Sequence, residues 1–260
     1  MSTFPAVRVW ESSIAVMRRV WKTNILLNLL QPLLYLLGMG LGVGALVNSR
    51  QESTAALGGV SYIAFLAPGL LATTAMIVAY SEASYPTMDG FKWSRAFEAM
   101  SATPLTSRHI VRGQMLFWLS RTFVSVAAVG VVLVIFADSR SSGLLLAVPV
   151  ATISGLAFAT PVAAYSATLD HDLAFSTLQR FLITPLFLFG GAFYPVSSLP
   201  AALRPIAYVT PLWHTVEICR GLCLHTLGLS SFLGHAAVVS AFVVVGWLFC
   251  NRNFARRLYA

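Results

Sequence analysis

Charged residues are scarce in this sequence. Only 10% of the 260 residues are Asp, Glu, Lys or Arg, whereas a soluble domain carries about a quarter. The three cysteines are an odd number without a pairing pattern, which argues against a disulfide framework. The chain lacks the Gly-x-x-x-x-Gly-Lys-Ser/Thr motif and any Gly-Lys pair, so it has no loop to cradle nucleotide phosphates. It also lacks a polar stretch long enough for a soluble ATPase domain.

What the chain has instead is a series of long uncharged runs. Apolar residues make up 57% of it, and the mean hydropathy is +0.77. The runs cover 23–49, 53–81, 122–137, 141–169, 181–203 and 221–251. A helix needs about 20 apolar residues to cross a bilayer, and only 122–137 must be extended, by Ile110–Ser120. Because the runs are continuously apolar, we predict an all-α integral membrane protein with six transmembrane helices in a single domain, 1–260.

The basic residues are distributed unevenly between alternate loops, which predicts the orientation of the chain. Twelve of the 17 lie in the N-terminal segment, the loop after span two, the region after span four, and the tail. The other loops carry four: Arg50, Arg140, Arg204 and Arg220. Loops rich in Lys and Arg stay in the cytosol, so we predict cytosolic termini and a cytosolic loop at 85–110. The net charge of +8 is mostly this topology signal, and no basic face for nucleic acid is evident.

Residues 1–22 carry an apolar stripe. Its members step by three or four positions: Phe4, Val7, Trp10, Ile14, Met17 and Trp21. The charged residues lie off this stripe, and Pro5 suits the first turn of a helix. We predict an interfacial helix on the inner leaflet, with its tryptophans at headgroup level. Span one follows at about 23–47, and its glycine-rich half predicts close helix packing within the chain.

Residues 85–110 form the one long polar interruption between apolar runs, after span two at 61–84. The pattern predicts a short amphipathic helix closed by Pro104. Its apolar members fall at i, i+4 and i+7 on one face: Trp93, Phe97 and Met100. Its charged members point elsewhere: Lys92, Arg95 and Glu98. Such a helix lies on the membrane surface or docks on another protein. An interfacial loop that only orients its neighbours accounts for the same pattern.

Glu82 ends span two, and Arg121 lies inside span three near its predicted cytosolic end. An ionisable residue within a membrane is a functional candidate, although a long side chain near a helix end can also extend to the interface. We hypothesise that Glu82 and Arg121 pair across spans two and three. A structural role is favoured over a contact with substrate.

The region after span five, 196–226, is apolar but broken by prolines. We predict two short re-entrant helices on the outer side, at about 198–208 and 212–224, before span six at 229–250. Its titratable residues include His214, Glu217 and Arg220. The spacing of His214 and Glu217 does not make a full metal site. A Glu217–Arg220 pair at i, i+3 is the favoured interpretation, and no metal is expected.

Four motifs spaced along nearly the whole chain resemble the permease subunit of an ABC-2 type exporter. They are Tyr-Ile-Ala-Phe-Leu-Ala-Pro-Gly-Leu at 62–70, Arg-Ala-Phe-Glu-Ala-Met at 95–100 with Thr-Pro-Leu at 103–105, Gly-Gly-Ala-Phe-Tyr-Pro-Val at 190–196 with Leu-Pro at 199–200, and Thr-Pro-Leu-Trp-His at 210–214 with Arg-Gly at 220–221. The branch that the chain resembles most is the nodulation-factor (lipo-oligosaccharide) exporter permease, followed by drug-exporter permeases.

The resemblance implies how such a chain works. The loop after span two would be the coupling helix, seated in a cleft of an ATPase, with Glu98 as its marked acidic residue. The ATPase-coupling residues would be Trp93, Arg95, Phe97, Glu98 and Met100. Two separate ATPase subunits would bind ATP and Mg, and this non-catalytic chain would bind no cofactor. A second permease copy, a bacterial inner membrane, and large amphiphilic substrates are also implied: glycolipids, lipo-oligosaccharides or hydrophobic drugs.

The wall of a transport pathway is harder to identify from the residues. Several aromatic residues could offer stacking faces to sugars: Phe181, Phe187, Phe189, Phe193 and Tyr194. Contacts with lipid or with the protein core are the favoured interpretation of these residues. Two other functions stay open. A secondary transporter would need acidic residues at mid-depth, and an intramembrane lipid-modifying enzyme would need a catalytic cluster, which only His214 with Glu217 approaches.

Overall fold

The computed structural model describes residues 4–18 and 30–259, and no β-strand occurs in these two ranges. In chain order the helices are α1 (Pro5–Met17), α2 (Leu30–Asn48), α3 (Gln51–Ala56), α4 (Tyr62–Ala83), α5 (Tyr85–Lys92), α6 (Ala96–Ser101), α7 (Ser107–Ile135), α8 (Leu144–Ser166), α9 (Leu173–Phe189), α10 (Arg204–Val209), α11 (Pro211–Cys223) and α12 (Leu229–Tyr259). Short 3₁₀ turns cover Ala137–Ser139 and Val196–Ser198.

Five of these helices are long and apolar enough to cross a membrane: α2, α4, α7, α8 and α12. The predicted all-α membrane protein is therefore confirmed. The predicted fifth span corresponds to α9, an apolar helix that is shorter than the other five and has a π-helical section at Gln179–Ile183. Six crossings stay a prediction, because α9 is shorter than the roughly 20 residues that a helix needs.

Helix α4 lies at the centre of the bundle. Eighteen of its 22 residues are buried, and it packs against α7, α8 and α11. Gly69 on this helix allows a close approach, because a Cβ there would lie 2.7 Å from the carbonyl oxygen of Ala192, after α9. The hydroxyls of Thr73 and Thr74 donate to backbone carbonyls one turn earlier, so these buried polar groups are satisfied within the helix.

Helix α1 packs along the first half of α7. Val9 is buried against Gly113, and the Trp10 Nε1–H donates to Ser120 Oγ at 2.9 Å. Gln114 Nε2 donates to Ser13 Oγ at 3.2 Å. The predicted N-terminal helix is thus held against a span along one side, while residues 19–22 of the predicted segment lie outside the described part of the chain.

Helix α2 covers the second part of the predicted span one, and residues 23–29 lie outside the described ranges. Its middle section, Leu36–Val43, is π-helical. Gly40 and Gly44 face α4, where added Cβ atoms would lie 3.3 Å from Ile63 and 3.5 Å from Tyr62. These two glycines therefore serve packing within the chain, as expected from the sequence.

The bundle has two distinct ends. The basic end comprises α1, α5, α6, the start of α7 and the ends of α8 and α12. The opposite end carries α3, α10 and α11. There, the second predicted re-entrant helix corresponds to α11, in which ten of 13 residues are buried. The first predicted re-entrant helix corresponds to α10 and is shorter than predicted, because α10 begins only at Arg204. Pro205 fits the first turn of this helix, whereas Pro200 lies in the turn before it.

Candidate docking site at the basic end

The segment after α4 folds as two short helices, so the single amphipathic helix expected there is wrong. Helix α5 ends because the N–H groups of Trp93 and Ser94 both donate to the carbonyl of Asp89, at 3.1 and 3.0 Å. Arg95 then adopts a left-handed conformation with φ of 51°, and α6 begins at the next residue. A residue with left-handed backbone cannot continue an α-helix. Trp93 therefore follows the end of α5, whereas Phe97 and Met100 lie on α6.

A cluster of three aromatic rings fixes α6 to the bundle. The ring centroid of Phe97 lies 4.9 Å from that of Phe91 on α5 and 5.3 Å from that of Phe254 on α12. Gly90 makes room for it, since a Cβ at that position would lie 2.4 Å from the Phe97 ring. Phe97 is only 4% exposed. The Phe97 ring therefore fills the joint between α5, α6 and α12 and does not lie on the exposed surface, and its part in coupling stays a prediction.

The turn between α5 and α6 presents an exposed ridge at the basic end. Its exposed members are Lys92, Trp93, Ser94, Arg95, Ala99, Ala102 and Thr103. Trp93 is 47% exposed, and its ring stacks on that of Tyr85 with centroids 5.0 Å apart. Arg95 Nε donates to Glu98 Oε2 at 2.7 Å. Of the five predicted coupling residues, Trp93, Arg95 and Glu98 reach this ridge, while Met100 is half-buried against the core.

Hydrogen bonds connect the ridge to the ends of two spans. Lys92 Nζ donates to the carbonyl of Asp170, just after α8. Arg257, near the end of α12, donates to the carbonyls of Ala167 at 2.9 Å and Leu169 at 2.8 Å, and contacts the Asp170 carboxylate at 3.3 Å. A cation at a helix C-terminus satisfies carbonyls that lack a partner within the helix. These bonds therefore hold α5, α8 and α12 together.

Two members of this joint, Phe254 and Arg257, were not among the residues predicted from the sequence. Both lie in the tail of α12, whose basic residues were interpreted only as a topology signal. A signal was present: the two residues are three apart, so they share a helix face. The Arg257 guanidinium lies 5.1 Å from the centroid of the Phe91 ring, within range of a cation–π contact.

Glu82 and Arg121 meet across α4 and α7. Arg121 Nη2 lies 2.6 Å from Glu82 Oε1, and Arg121 Nε donates to the same oxygen at 2.8 Å. The Arg121 side chain is 4% exposed and the Glu82 side chain is 17% exposed. Glu82 is the last residue but one of α4, and Arg121 is the fifteenth of the 29 residues of α7. The pair links the two spans that flank the ridge.

The titratable residues at the opposite end fill structural positions. Arg220 Nη1 lies 2.8 Å from Glu217 Oε1, its Nη2 donates to the Gly191 carbonyl at 2.8 Å, and its guanidinium lies 3.7 Å from the Phe65 ring centroid. All three cysteines are buried and free. Among the described residues, no group of three or more His, Cys, Asp and Glu side chains is placed to hold a metal ion.

His214 forms two hydrogen bonds that determine its tautomer. Its Nε2 lies 2.9 Å from the Tyr208 carbonyl oxygen, and its Nδ1 lies 2.8 Å from Nδ1 of His235 on α12. A carbonyl oxygen only accepts, so Nε2 of His214 carries the hydrogen and Nδ1 of His235 donates to His214. Burial lowers the pKa of His214, and the neighbouring His235 lowers it further. The neutral His214 ring thus joins α10 to α12.

The aromatic residues proposed for a pathway separate into two groups. Phe187 and Phe193 are buried, and their rings pack against each other and against Tyr35, with centroid distances of 5.0 to 5.4 Å. Their rings are therefore occupied by core contacts, which is the interpretation favoured from the sequence, and a part of these two residues in a pathway stays a prediction. Tyr194 is half-buried, whereas Phe181 is 79% exposed on α9.

The fold defines a class of protein before any comparison is made: long apolar helices packed around a buried central helix form a multi-pass membrane protein. A profile described as ABC-2 type transporter matches residues 7–224. The chain therefore belongs to the ABC-2 type transporter family, and it is the membrane component of a bacterial transporter. The resemblance stated from the sequence motifs is confirmed.

Curated relatives agree with this assignment over nearly their full lengths. The chain is 33% identical to "Nodulation protein J" of Rhizobium leguminosarum bv. viciae, over 99% of this chain and 98% of that protein. It is 31% identical to "Nodulation protein J" of Rhizobium meliloti (strain 1021), over 97% and 93%. Similarity extends to "Inner membrane transport permease YadH" of Escherichia coli (strain K12), at 22% identity over 93% and 91%.

Proposed function

We propose that this chain is the membrane-spanning subunit of an ABC exporter, driven by ATP hydrolysis on two copies of a separate ATPase subunit. The observation that carries the proposal is the exposed ridge between α5 and α6. It presents a lysine bonded to the Asp170 carbonyl, a half-exposed tryptophan and an Arg–Glu pair, and its base is held by buried rings. A rigid base under an exposed, mixed polar and aromatic surface suits a site that receives force from a partner.

The contacts of the ridge suggest how force would reach the spans. A push on α6 would act on Phe97 and hence on Phe254 of α12 and Phe91 of α5. Helix α5 follows α4 after a single residue, so α4 would move with it. The Glu82–Arg121 pair would then carry the motion from α4 to α7. ATP and Mg would bind the partner, and this chain would bind no cofactor.

The substrate, the assembly and the orientation belong to the same proposal. The motif resemblance to nodulation-factor exporter permeases supports an amphiphilic substrate such as a lipo-oligosaccharide or another glycolipid, with hydrophobic drugs as an alternative; the two relatives described above are named "Nodulation protein J". A second permease copy would complete the pathway. The exposed face of α2, with open space at Gly38 and Gly42, supports such a contact. The concentration of arginines at the basic end supports a cytosolic position for this end and both termini, in a bacterial inner membrane.

Site-specific cross-linking tests the docking role directly. Ala99 and Ala102 are exposed small residues on the ridge, and Ala201 is an exposed small residue at the opposite end. The native cysteines are buried and would compete little for thiol reagents. In membranes carrying Ala99→Cys or Ala102→Cys, a short bifunctional thiol reagent should join the chain to an ABC ATPase, identified by mass spectrometry. Ala201→Cys should give no such product and should instead react with a membrane-impermeant maleimide added to spheroplasts.

A functional readout completes the test. Glu98→Arg replaces the partner of Arg95 by a like charge on the ridge, and it should uncouple ATP hydrolysis from export while the chain still accumulates in the membrane. If Glu98→Arg exports normally and Ala201→Cys captures the ATPase instead of the ridge variants, the ridge is not the docking site.

A further inference from the structure

A second feature of the basic end is a pocket between the start of α7 and the last third of α12. Its volume is about 460 Å³, roughly 15 times the ~30 Å³ that one water occupies in the liquid. The side chains that decide its chemistry are Arg108, Arg112, Trp247, Leu248, Asn251 and Arg252. Three of these six are arginines, and none of the residues around the pocket is acidic.

The three arginines of this pocket have no carboxylate partner among the described residues. Five other arginines of the chain do form ion pairs: Arg8, Arg95, Arg121, Arg220 and Arg257. Arg108 and Arg112 are four residues apart, so they share one face of α7, and Arg252 faces them from α12 across the pocket. The positive end of the α7 helix dipole lies at the same place. The pocket therefore concentrates uncompensated positive charge.

The position of the pocket along α12 places it at the edge of the bilayer. The uncharged run 221–251 ends immediately before Arg252. Leu248, on the apolar side of this border, is 56% exposed, and Trp247 is a residue type that favours the headgroup layer. The pocket thus has an apolar margin toward the lipid tails and a cationic margin toward water. Of the anions available, a phospholipid headgroup matches both margins, whereas a soluble anion matches only one.

We infer that this pocket binds an anionic phospholipid of the leaflet at the basic end. The lipid phosphate accepts hydrogen bonds from Arg108, Arg112 and Arg252, because guanidinium groups bind phosphate oxygens in pairs. Trp247 and Leu248 contact the glycerol and the first methylenes of the chains. Basic pockets between membrane helices on the cytoplasmic side are common sites for such headgroups. The inference does not depend on the docking role of the ridge.

Native mass spectrometry of the purified full-length chain tests this site. The protein is mixed in detergent with equal amounts of phosphatidylglycerol and phosphatidylcholine, and the lipid that stays bound is identified. Each arginine near an anionic lipid surface increases the binding constant about fivefold. Each single Arg→Gln variant should thus weaken retention of phosphatidylglycerol about fivefold, and the triple variant R108Q/R112Q/R252Q about a hundredfold. The matched control is Arg256→Gln, an exposed arginine one turn further along α12 and outside the pocket.

The expected result is selective retention of one phosphatidylglycerol by the wild type and by Arg256→Gln, with its loss in the triple variant. Equal retention by the wild type and the triple variant would overturn the site. Equal loss in Arg256→Gln would show a diffuse charge effect and would overturn it as well. A large excess of inorganic phosphate distinguishes the source of the anion: displacement of the lipid by phosphate alone would assign the pocket to a soluble anion and refute the lipid.

Discussion

Replacing Phe97 by alanine is the sharpest test of the joint beneath the ridge. The ring is 4% exposed and contacts Gly90, Phe91 and Phe254. Truncation of a buried phenylalanine destabilises a protein by about 3–5 kcal/mol, more when the site cannot collapse. Collapse is limited here, because α5 is also held by the bond from Lys92 to the Asp170 carbonyl. We therefore expect a loss near the upper part of this range.

The free energy of unfolding can be measured by titrating the purified protein in mixed micelles with dodecyl sulfate and following the helical signal. Trp93→Ala is the matched control, since its ring is half-exposed, stacks on Tyr85 and has Lys92 Nζ 5.6 Å from its centroid; the loss of stability should be about 1 kcal/mol. The cycle of Phe97→Ala, Phe254→Ala and the double variant should give a favourable coupling of about 0.5–1.5 kcal/mol for the ring pair.

The joint is refuted if Phe97→Ala is no more destabilising than Trp93→Ala, or if the coupling between Phe97 and Phe254 is zero. Either result would mean that α6 is not fixed to α12 through these rings. A rigid transfer of force from the ridge to the bundle would then have no structural basis, whatever partner binds there.

Two further predictions concern buried groups. Glu82→Gln should destabilise the chain by about 3–5 kcal/mol because it leaves Arg121 buried without its counter-charge. The dodecyl sulfate titration measures this loss. If the double variant Glu82→Gln/Arg121→Gln is no more stable than Glu82→Gln, the pairing is contradicted. Burial raises the pKa of the Cys223 thiol to about 12. As the pH rises, the thiol of the unfolded chain loses its proton before the thiol of the folded chain, so the free energy of unfolding should fall above about pH 8.5. Rapid maleimide labelling of Cys223 in the folded protein at neutral pH, mapped by peptide mass spectrometry, would contradict its burial.

The long helices could be predicted because the bilayer imposes a simple rule. Charge-free runs of sufficient length must be helical in lipid, and α4 at Tyr62–Ala83 falls inside the segment predicted for span two. The start of α7 was also readable locally: Thr106 caps the helix, and the His109 side chain accepts from the Thr106 backbone N–H at 3.3 Å. Each of these features depends on residues close together in the chain.

The break between α5 and α6 was not predictable in the same way. The apolar spacing of Trp93, Phe97 and Met100 continues through the break, so periodicity alone predicts one helix. The left-handed backbone at Arg95 divides the segment, and the second helix is then packed against Phe254, a residue more than 150 positions later in the chain. A helical pattern records which residues are apolar, but the partner that buries them determines which of them remain on the surface.

The different roles of the basic residues were not predictable from the sequence either. For topology, every arginine near the basic end counts equally, and the sequence interpretation used them that way. In the folded chain they have different roles. Arg121 neutralises Glu82 between two spans, Arg257 satisfies the carbonyls at the end of α8, and Arg108, Arg112 and Arg252 converge on a pocket without a carboxylate. Arg121 and Arg257 are held by bonds within the bundle, whereas the three pocket arginines have no carboxylate partner among the described residues, and that division follows from contacts between distant helices.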